Sequence, residues 1–200
     1  MNYTGPKVKL SRKIGVYITP KAGKYSQKKP YPPGQFGAQK RRAKQSDYGK
    51  QLLEKQKLRL QYNVTESQMQ NYYHKATRMT GNTADFLVQL LETRLDAVLY
   101  RSGFARSLYQ AKQLISHGHI LVNGRKVDIA SYSVKVNDVI SIKEKTRTLQ
   151  DVQDNIRYSN PPAYIEVSKA DFTAKLLYVP NPTEIPIQCE TSLVIEYYSR

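Results

Sequence analysis

The run Ser107-Leu108-Tyr109-Gln110-Ala111-Lys112-Gln113-Leu114-Ile115-Ser116-His117-Gly118-His119-Ile120-Leu121-Val122-Asn123-Gly124-Arg125-Lys126-Val127 changes its apolar period halfway along. Ser107 and Gln110 have the spacing of a capping box, and Leu108, Ala111, Leu114 and Ile115 recur as one inward helix face. Gly118 stops that helix with the left-handed backbone that glycine tolerates best. Ile120-Leu121-Val122, Asn123-Gly124 and Arg125-Lys126-Val127 then spell strand, type I′ turn, strand. A helix that leads straight into a hairpin implies an α+β fold with a small β-sheet. Val134, Val136, Val139, Ile140 and Ile142 continue it as short strands around a turn at Asn137-Asp138.

On the N-terminal side, Gly81-Asn82-Thr83 breaks the chain, and Asn82 or Thr83 caps a helix whose inner face is Leu87, Leu90, Leu91, Leu95 and Val98. Before it, Thr65 and Gln68 form another capping-box pair, with Met69, Tyr72, Tyr73 and Ala76 as core. Ser46-Asp47 starts a helix to about Gln61 that carries Leu52, Leu53 and Leu60. Residues 1 to about 45 read as an irregular arm, because Pro6, Pro20, Pro30, Pro32, Pro33, Gly34 and Gly37 interrupt any long element. After Lys143-Glu144-Lys145 the chain turns polar to about Asn155. Tyr164-Ile165-Glu166-Val167 is then a strand candidate, and Leu193 to Tyr198 reads as a terminal strand. The expected organisation is an arm (1–45), a helical lobe (46–91), the module built on the quoted run (92–155), and a strand and loop segment (156–200) that packs back on the lobes.

Charge is distributed unevenly. The first sixty residues hold sixteen Lys and Arg against Asp47 and Glu54 alone, a net +14 of the chain's +16. Such imbalance destabilises a compact state, so a neutralising polyanion is the simplest physical reason for it. Nucleic acid fits best. Gln39-Lys40-Arg41-Arg42-Ala43-Lys44 sets four cations within five residues, and Tyr31, Phe36 and Tyr48 supply rings nearby to stack on bases or to anchor the arm. Membrane binding would need a continuous apolar helix face, which the proline- and glycine-rich arm does not offer, and no apolar run is long enough to span a bilayer. One cysteine, Cys189, excludes an intrachain disulfide or a multi-cysteine zinc cluster.

Within the 92–155 module, Arg94 and Arg101 lie seven apart and share a face if one helix runs through both. Arg106 and Lys112 belong to the next helix or its start, and Arg125 and Lys126 to the hairpin tip. This set suits the phosphates of structured RNA, whose A-form duplex hides its base edges in a deep groove. Glu92 and Asp96 stand close in sequence, so spacing alone leaves open a solvated, acid-balanced face.

The order of motifs supplies what spacing does not. Arg94-Leu95-Asp96, Arg101-Ser102-Gly103-Phe104-Ala105-Arg106-Ser107, Ala111, Leu114-Ile115 and Gly118 to Gly124 resemble the S-four RNA-binding domain. Thr4-Gly5-Pro6, Leu10-Ser11-Arg12, Tyr31 to Gly37, Ser46 to Gly49, Glu54 to Arg59, Asn71-Tyr72-Tyr73 and Ile129 to Tyr132 resemble the family of small-subunit ribosomal proteins from which that domain takes its name. The resemblance covers roughly residues 3 to 145, with a weaker echo at Tyr198-Ser199-Arg200. It implies a non-enzymatic protein of the small ribosomal subunit, in bacterial cytoplasm or an organelle. Such a protein binds the 5′ domain of small-subunit rRNA early in assembly and stands near the entrance channel for mRNA, among neighbouring ribosomal proteins, with a bearing on translational accuracy. The expected rRNA contacts are Arg12, Lys13, Lys50, Lys55, Lys57, Arg59, Arg94, Arg101, Arg106, Ser107, Lys112, His117, Asn123, Arg125 and Lys126. Lys40, Arg41, Arg42 and Lys44 are the candidates for mRNA. Some members carry two cysteines near the start as part of a zinc site; Val8 and Ser11 stand there, so no metal is expected, nor any cofactor or small-molecule substrate. Lys21 to Lys29 is poorly matched, and the resemblance implies no contacts for it.

Other chemistries have less support. Arg94-Leu95-Asp96 also resembles a pseudouridine-synthase motif with a catalytic aspartate, but too little chain follows Lys145 to enclose a flipped base. His117 and His119 are too few ligands for a metal. Ser107 lacks a His-Asp pair at readable spacing. A small stress-response RNA binder would lack both the arm and the helices between residues 46 and 80.

Overall fold

The computed structural model describes residue 3 and residues 5–39 and 45–200. These fall into two compact units, one of residues up to 84 with 187–200 and one of residues 85–186. The segment expected at 156–200 is therefore divided, with its first part in the second unit and its last fourteen residues in the first.

The first unit is helical: α1 (Lys7–Ile14), α2 (Pro20–Lys28), α3 (Asp47–Gln61), α4 (Glu66–Thr77) and α10 (Thr191–Tyr198). Ser46 caps α3 by accepting from the Gly49 N–H at 3.2 Å. Thr65 and Gln68 complete a capping box on α4. Of the stripe expected on α4, Met69 and Ala76 are fully buried, whereas Tyr72 and Tyr73 are half-buried. The arm departs from the irregular chain expected of it. Two short helices fit between its prolines, with Pro20 in the first turn of α2, where the missing N–H costs nothing. Ile14 and Val16 bury against Leu60 of α3, with Leu10, Ile18 and Leu53 around them. Arm and lobe are thus one packed body.

The C-terminal segment from Leu193 to Tyr198 is helix, not strand. Its β-branched and aromatic residues favour a strand, but α10 lies along α3 and a helical register puts Val194 wholly inside. Tertiary packing overrides a weak local preference here.

The second unit sets helices against an antiparallel sheet. The helices are α5 (Thr83–Glu92, starting at the boundary), α6 (Leu95–Arg101), α7 (Leu108–Ser116), α8 (Glu144–Arg147) and α9 (Gln150–Arg157). The strands β1 (Ile120–Val122), β2 (Arg125–Lys126), β3 (Val139–Ile142), β4 (Ile165–Ser168) and β5 (Thr173–Leu176) lie in the order β2-β1-β3-β5-β4. Leu95, Val98, Leu99, Ile115, Ile120, Ile140, Ile142 and Leu176 form the core between helices and sheet. The fold is α+β. Asn123 and Gly124 both have positive φ, 49° and 77°, as a type I′ turn requires.

Three expectations for this unit change. The helix from Thr83 does not continue to Val98; it ends at Glu92, and Leu95 restarts α6 after Arg94 bridges to Ser133. Val134 is buried beside that bridge but belongs to no strand, and Val136 is exposed. The polar stretch after Lys145 forms α8 and α9, whose Val152 and Ile156, four apart, reach the core.

Candidate nucleic-acid interface

The expected contact residues divide according to where carboxylates lie. In the first unit Arg12 turns inward: its guanidinium donates to the Tyr31 carbonyl at 2.8 and 3.1 Å and sits over the Tyr31 ring, clasping the loop to α1. Lys55 is buried, donating to Glu66 at 2.9 Å and lying 4.6 Å from the Tyr197 ring centre. Glu66 also faces Arg59 at 3.7 Å and accepts from the Tyr198 hydroxyl at 2.7 Å. Burial alone raises the Glu66 carboxyl, but hydrogen bonds from Lys55 and Tyr198 and the charges of Lys55 and Arg59 outweigh it, leaving its pKa below the ordinary value. Lys57 pairs with Glu54, which accepts from the Glu190 N–H at 3.0 Å. Lys55, Lys57 and Arg59 therefore hold α3 to α4 and to the C-terminal segment. Lys13 and Lys50 face water, Lys50 with an exposed pair to Asp47 at 2.9 Å.

The second unit repeats the division. Arg94 is 2% exposed and lies outside the helices, so the shared face expected for Arg94 and Arg101 does not exist. Its guanidinium grips both oxygens of fully buried Asp96, at 2.9 and 2.7 Å. Lys112 approaches the same carboxylate at 3.5 Å; burial, with Arg94's charge adding, holds its pKa below the usual lysine value against the pull of Asp96. Asp96 is thus an internal tether between Arg94 and α7. Arg101 pairs with buried Glu92 at 2.5 Å, and the Tyr164 hydroxyl donates to Glu92 at 2.8 Å. Burial, then the adjacent carboxylate, pushes the Tyr164 hydroxyl far up. Ser107 caps α7 through the Gln110 N–H at 3.3 Å. The return bond of the expected box is displaced by one residue, because the Gln110 side chain accepts from the Arg106 N–H instead. Asn123 donates to Asp138 at 2.8 Å and accepts from the Val139 N–H at 2.9 Å, so its side chain serves the turn.

What remains at the surface is a smaller set. Arg106 is 60% exposed, with Asp151 a distant 3.9 Å away. His117, Arg125 and Lys126 are also exposed. Arg106 precedes α7 and His117 follows it, so the two flank a helix about 14 Å long. Lys126 packs over Gly118, close enough that a Cβ there would meet its side chain at 2.3 Å, so the hairpin's cations gather at the His117 end. These groups suit spaced phosphates, and none is poised for bond-making. Lys40, Arg41, Arg42 and Lys44 lie outside the described residues.

The arm adds cations that sequence spacing did not single out. No Asp or Glu occurs before Asp47, and Lys9, Lys24, Lys28 and Lys29 are exposed, without an ion pair among the described residues. The signal was the acid-free composition itself. At the two positions that the resemblance relates to a zinc site, Val8 is half-buried and Ser11 buried, its hydroxyl accepting from the Ile18 N–H at 3.2 Å. Among the described residues no cluster of three His, Cys, Asp or Glu is placed to hold a metal ion, and no helix is long and apolar enough to cross a membrane.

Residues 2–92 match the family described as ribosomal protein S4/S9 N-terminal domain, and residues 93–140 match the S4 domain. The chain is 45% identical to small ribosomal subunit protein uS4 of Streptomyces avermitilis, covering 100% of this chain and 99% of that one. It is 46% identical to the uS4 protein of Persephonella marina, covering 98% of each. Against the uS4 protein of Thermobifida fusca it is 44% identical over the whole of both.

Proposed function

This chain belongs to the uS4 family of small ribosomal subunit proteins, and from that membership we propose how its surface works in the subunit. It is a structural constituent rather than an enzyme, with rRNA and neighbouring ribosomal proteins as partners, at work in the cytoplasm of a bacterium. Its finer role is to bind the 5′ domain of small-subunit rRNA at an early stage of assembly, holding a multi-helix junction. The observation that carries this reading is the charge left over after internal pairing. The first unit has nineteen basic and five acidic side chains, while the second has thirteen and eleven. Cations close to carboxylates are spent on the fold. The water-facing remainder, Lys9 and Lys13 in the first unit and Arg125 and Lys126 in the second, with Arg106 only loosely paired at 3.9 Å, is available to phosphate.

Binding of this kind reads shape and backbone more than base edges, and it releases counterions. The test is a footprint of the full chain on naked small-subunit rRNA, with affinity measured across salt concentration. Protection confined to the 5′ domain, with affinity falling steeply as salt rises, is expected. Equal affinity for an unrelated structured RNA of the same length overturns the assignment. The run from Lys40 to Lys44 supports a second contact, with mRNA at the entrance of the subunit. Crosslinking from those four cations to a bound message in assembled subunits tests it, and crosslinks to rRNA alone would refute it.

A further inference from the structure

The stretch from Lys21 to Lys29, which the family resemblance matches poorly, supplies most of α2. Resting on the rRNA-binding reading above, we propose that the water-facing side of α2 tracks the phosphates of one strand of structured RNA through Lys21, Lys24 and Lys28. At about 100° per residue, these three lysines and Tyr25 fall within an arc of about 100° on the helix. All four are exposed, while Ala22, about 110° round the helix from the middle of that arc, is fully buried. The lysines are three and four residues apart, about 4.5 and 6 Å along the axis, so their flexible stems reach successive phosphates of a single strand.

Charge identifies the occupant. Because residues before Asp47 include no acid, nothing in the arm balances these lysines, and none forms an ion pair among the described residues. Lys21 rests 5.7 Å from the Tyr25 ring centre, a contact that leaves its charge intact. The helix also opens on a cation, with no acid in its first turn and no capping bond from Thr19. Like charges on one face and a cation at the positive end of the dipole both work against α2 within the isolated chain. A row of phosphates reverses both effects at once.

The test uses the full chain carrying K21Q, K24Q and K28Q, with transcribed small-subunit rRNA as the probe. Glutamine removes the charge and keeps helix propensity, so circular dichroism and the melting temperature should match the parent. Loss of three phosphate contacts should reduce the slope of log affinity against log salt by about 2 to 3. An unchanged slope in the folded variant overturns the α2 site and leaves the rRNA-binding reading standing. A parent chain with no salt-dependent RNA binding overturns both. Should the triple variant lose helix, K24Q alone is read in the same way, and a slope reduced by somewhat under 1 is the supporting result.

Discussion

Replacing Arg94 by alanine separates the two uses of positive charge in this chain. Arg94 is 2% exposed and makes two charge-assisted hydrogen bonds, at 2.9 and 2.7 Å, to a carboxylate that water does not reach. Breaking one side of a buried pair costs about 3 to 5 kcal/mol, most of it from the charge left behind. Here the remainder is softened, since Asp96 keeps Lys112 at 3.5 Å and the Ala97 N–H at 3.0 Å. The lower end, about 3 kcal/mol, is therefore the expected loss. For a unit whose stability is of the order of 5 to 15 kcal/mol, that is a large fraction. Urea unfolding followed by a probe in residues 85–186 measures it, and Arg106→Ala is the control: an exposed residue whose removal should cost under about 0.5 kcal/mol. RNA affinity should show the opposite ranking once both variants are held under folding conditions. Equal stability losses for the two variants would refute the assignment of Arg94 to the interior.

Glu66→Gln should destabilise the first unit at neutral pH. The folded carboxyl titrates below its ordinary 4.5, so its contribution is present above that value and fades as pH falls through the folded pKa; melting curves of parent and variant should converge once pH has fallen below the folded pKa. Joint replacement of Arg106, Arg125 and Lys126 by alanine should leave the melting temperature nearly unchanged and flatten the salt dependence of rRNA binding by about 2 to 3 in slope, read by filter binding. Cys189, whose thiol is pushed up to about 12 by burial and then by Glu54, should resist iodoacetamide at pH 8 in the folded chain and react after unfolding, with mass spectrometry as the readout. Asn123→Ala should destabilise the hairpin by about 1 to 2 kcal/mol, since alanine takes positive φ poorly, whereas Asn123→Gly should lose less.

The legible parts of this fold are those decided within a few residues. Ser46 and Thr65 cap the helices their spacing announced, and Asn123-Gly124 turns the chain where a type I′ turn must. The illegible parts depend on partners far away in sequence. α10 has strand-like residues, yet Glu196 and Tyr198 meet Gln51 and Glu66, which lie 145 and 132 residues earlier. α9 was hidden because Val152 and Ile156 alone among its polar neighbours mark the inner face. Lys112 shows the same for the site: an apolar stripe predicts the α7 core, but only the folded chain brings Asp96 beneath it and draws the lysine inside.

The division of cations follows from supply and cost. A buried arginine or lysine survives only beside a carboxylate, because desolvation of an isolated charge exceeds any packing gain. Eleven acids distributed through residues 85–186 make such pairing possible there, and Glu92 and Asp96 take up Arg101, Arg94 and Lys112. The arm has no acid with which to do likewise. Among its described residues the guanidinium of Arg12 turns inward and is satisfied by backbone carbonyls and a ring, and the exposed lysines stay in water. A motif match to Arg94 or Arg101 therefore marks a residue that shapes the RNA-facing module from within. On the proposed rRNA-binding reading, direct phosphate contact falls to residues such as Lys126 and the arm lysines, which form no ion pair among the described residues.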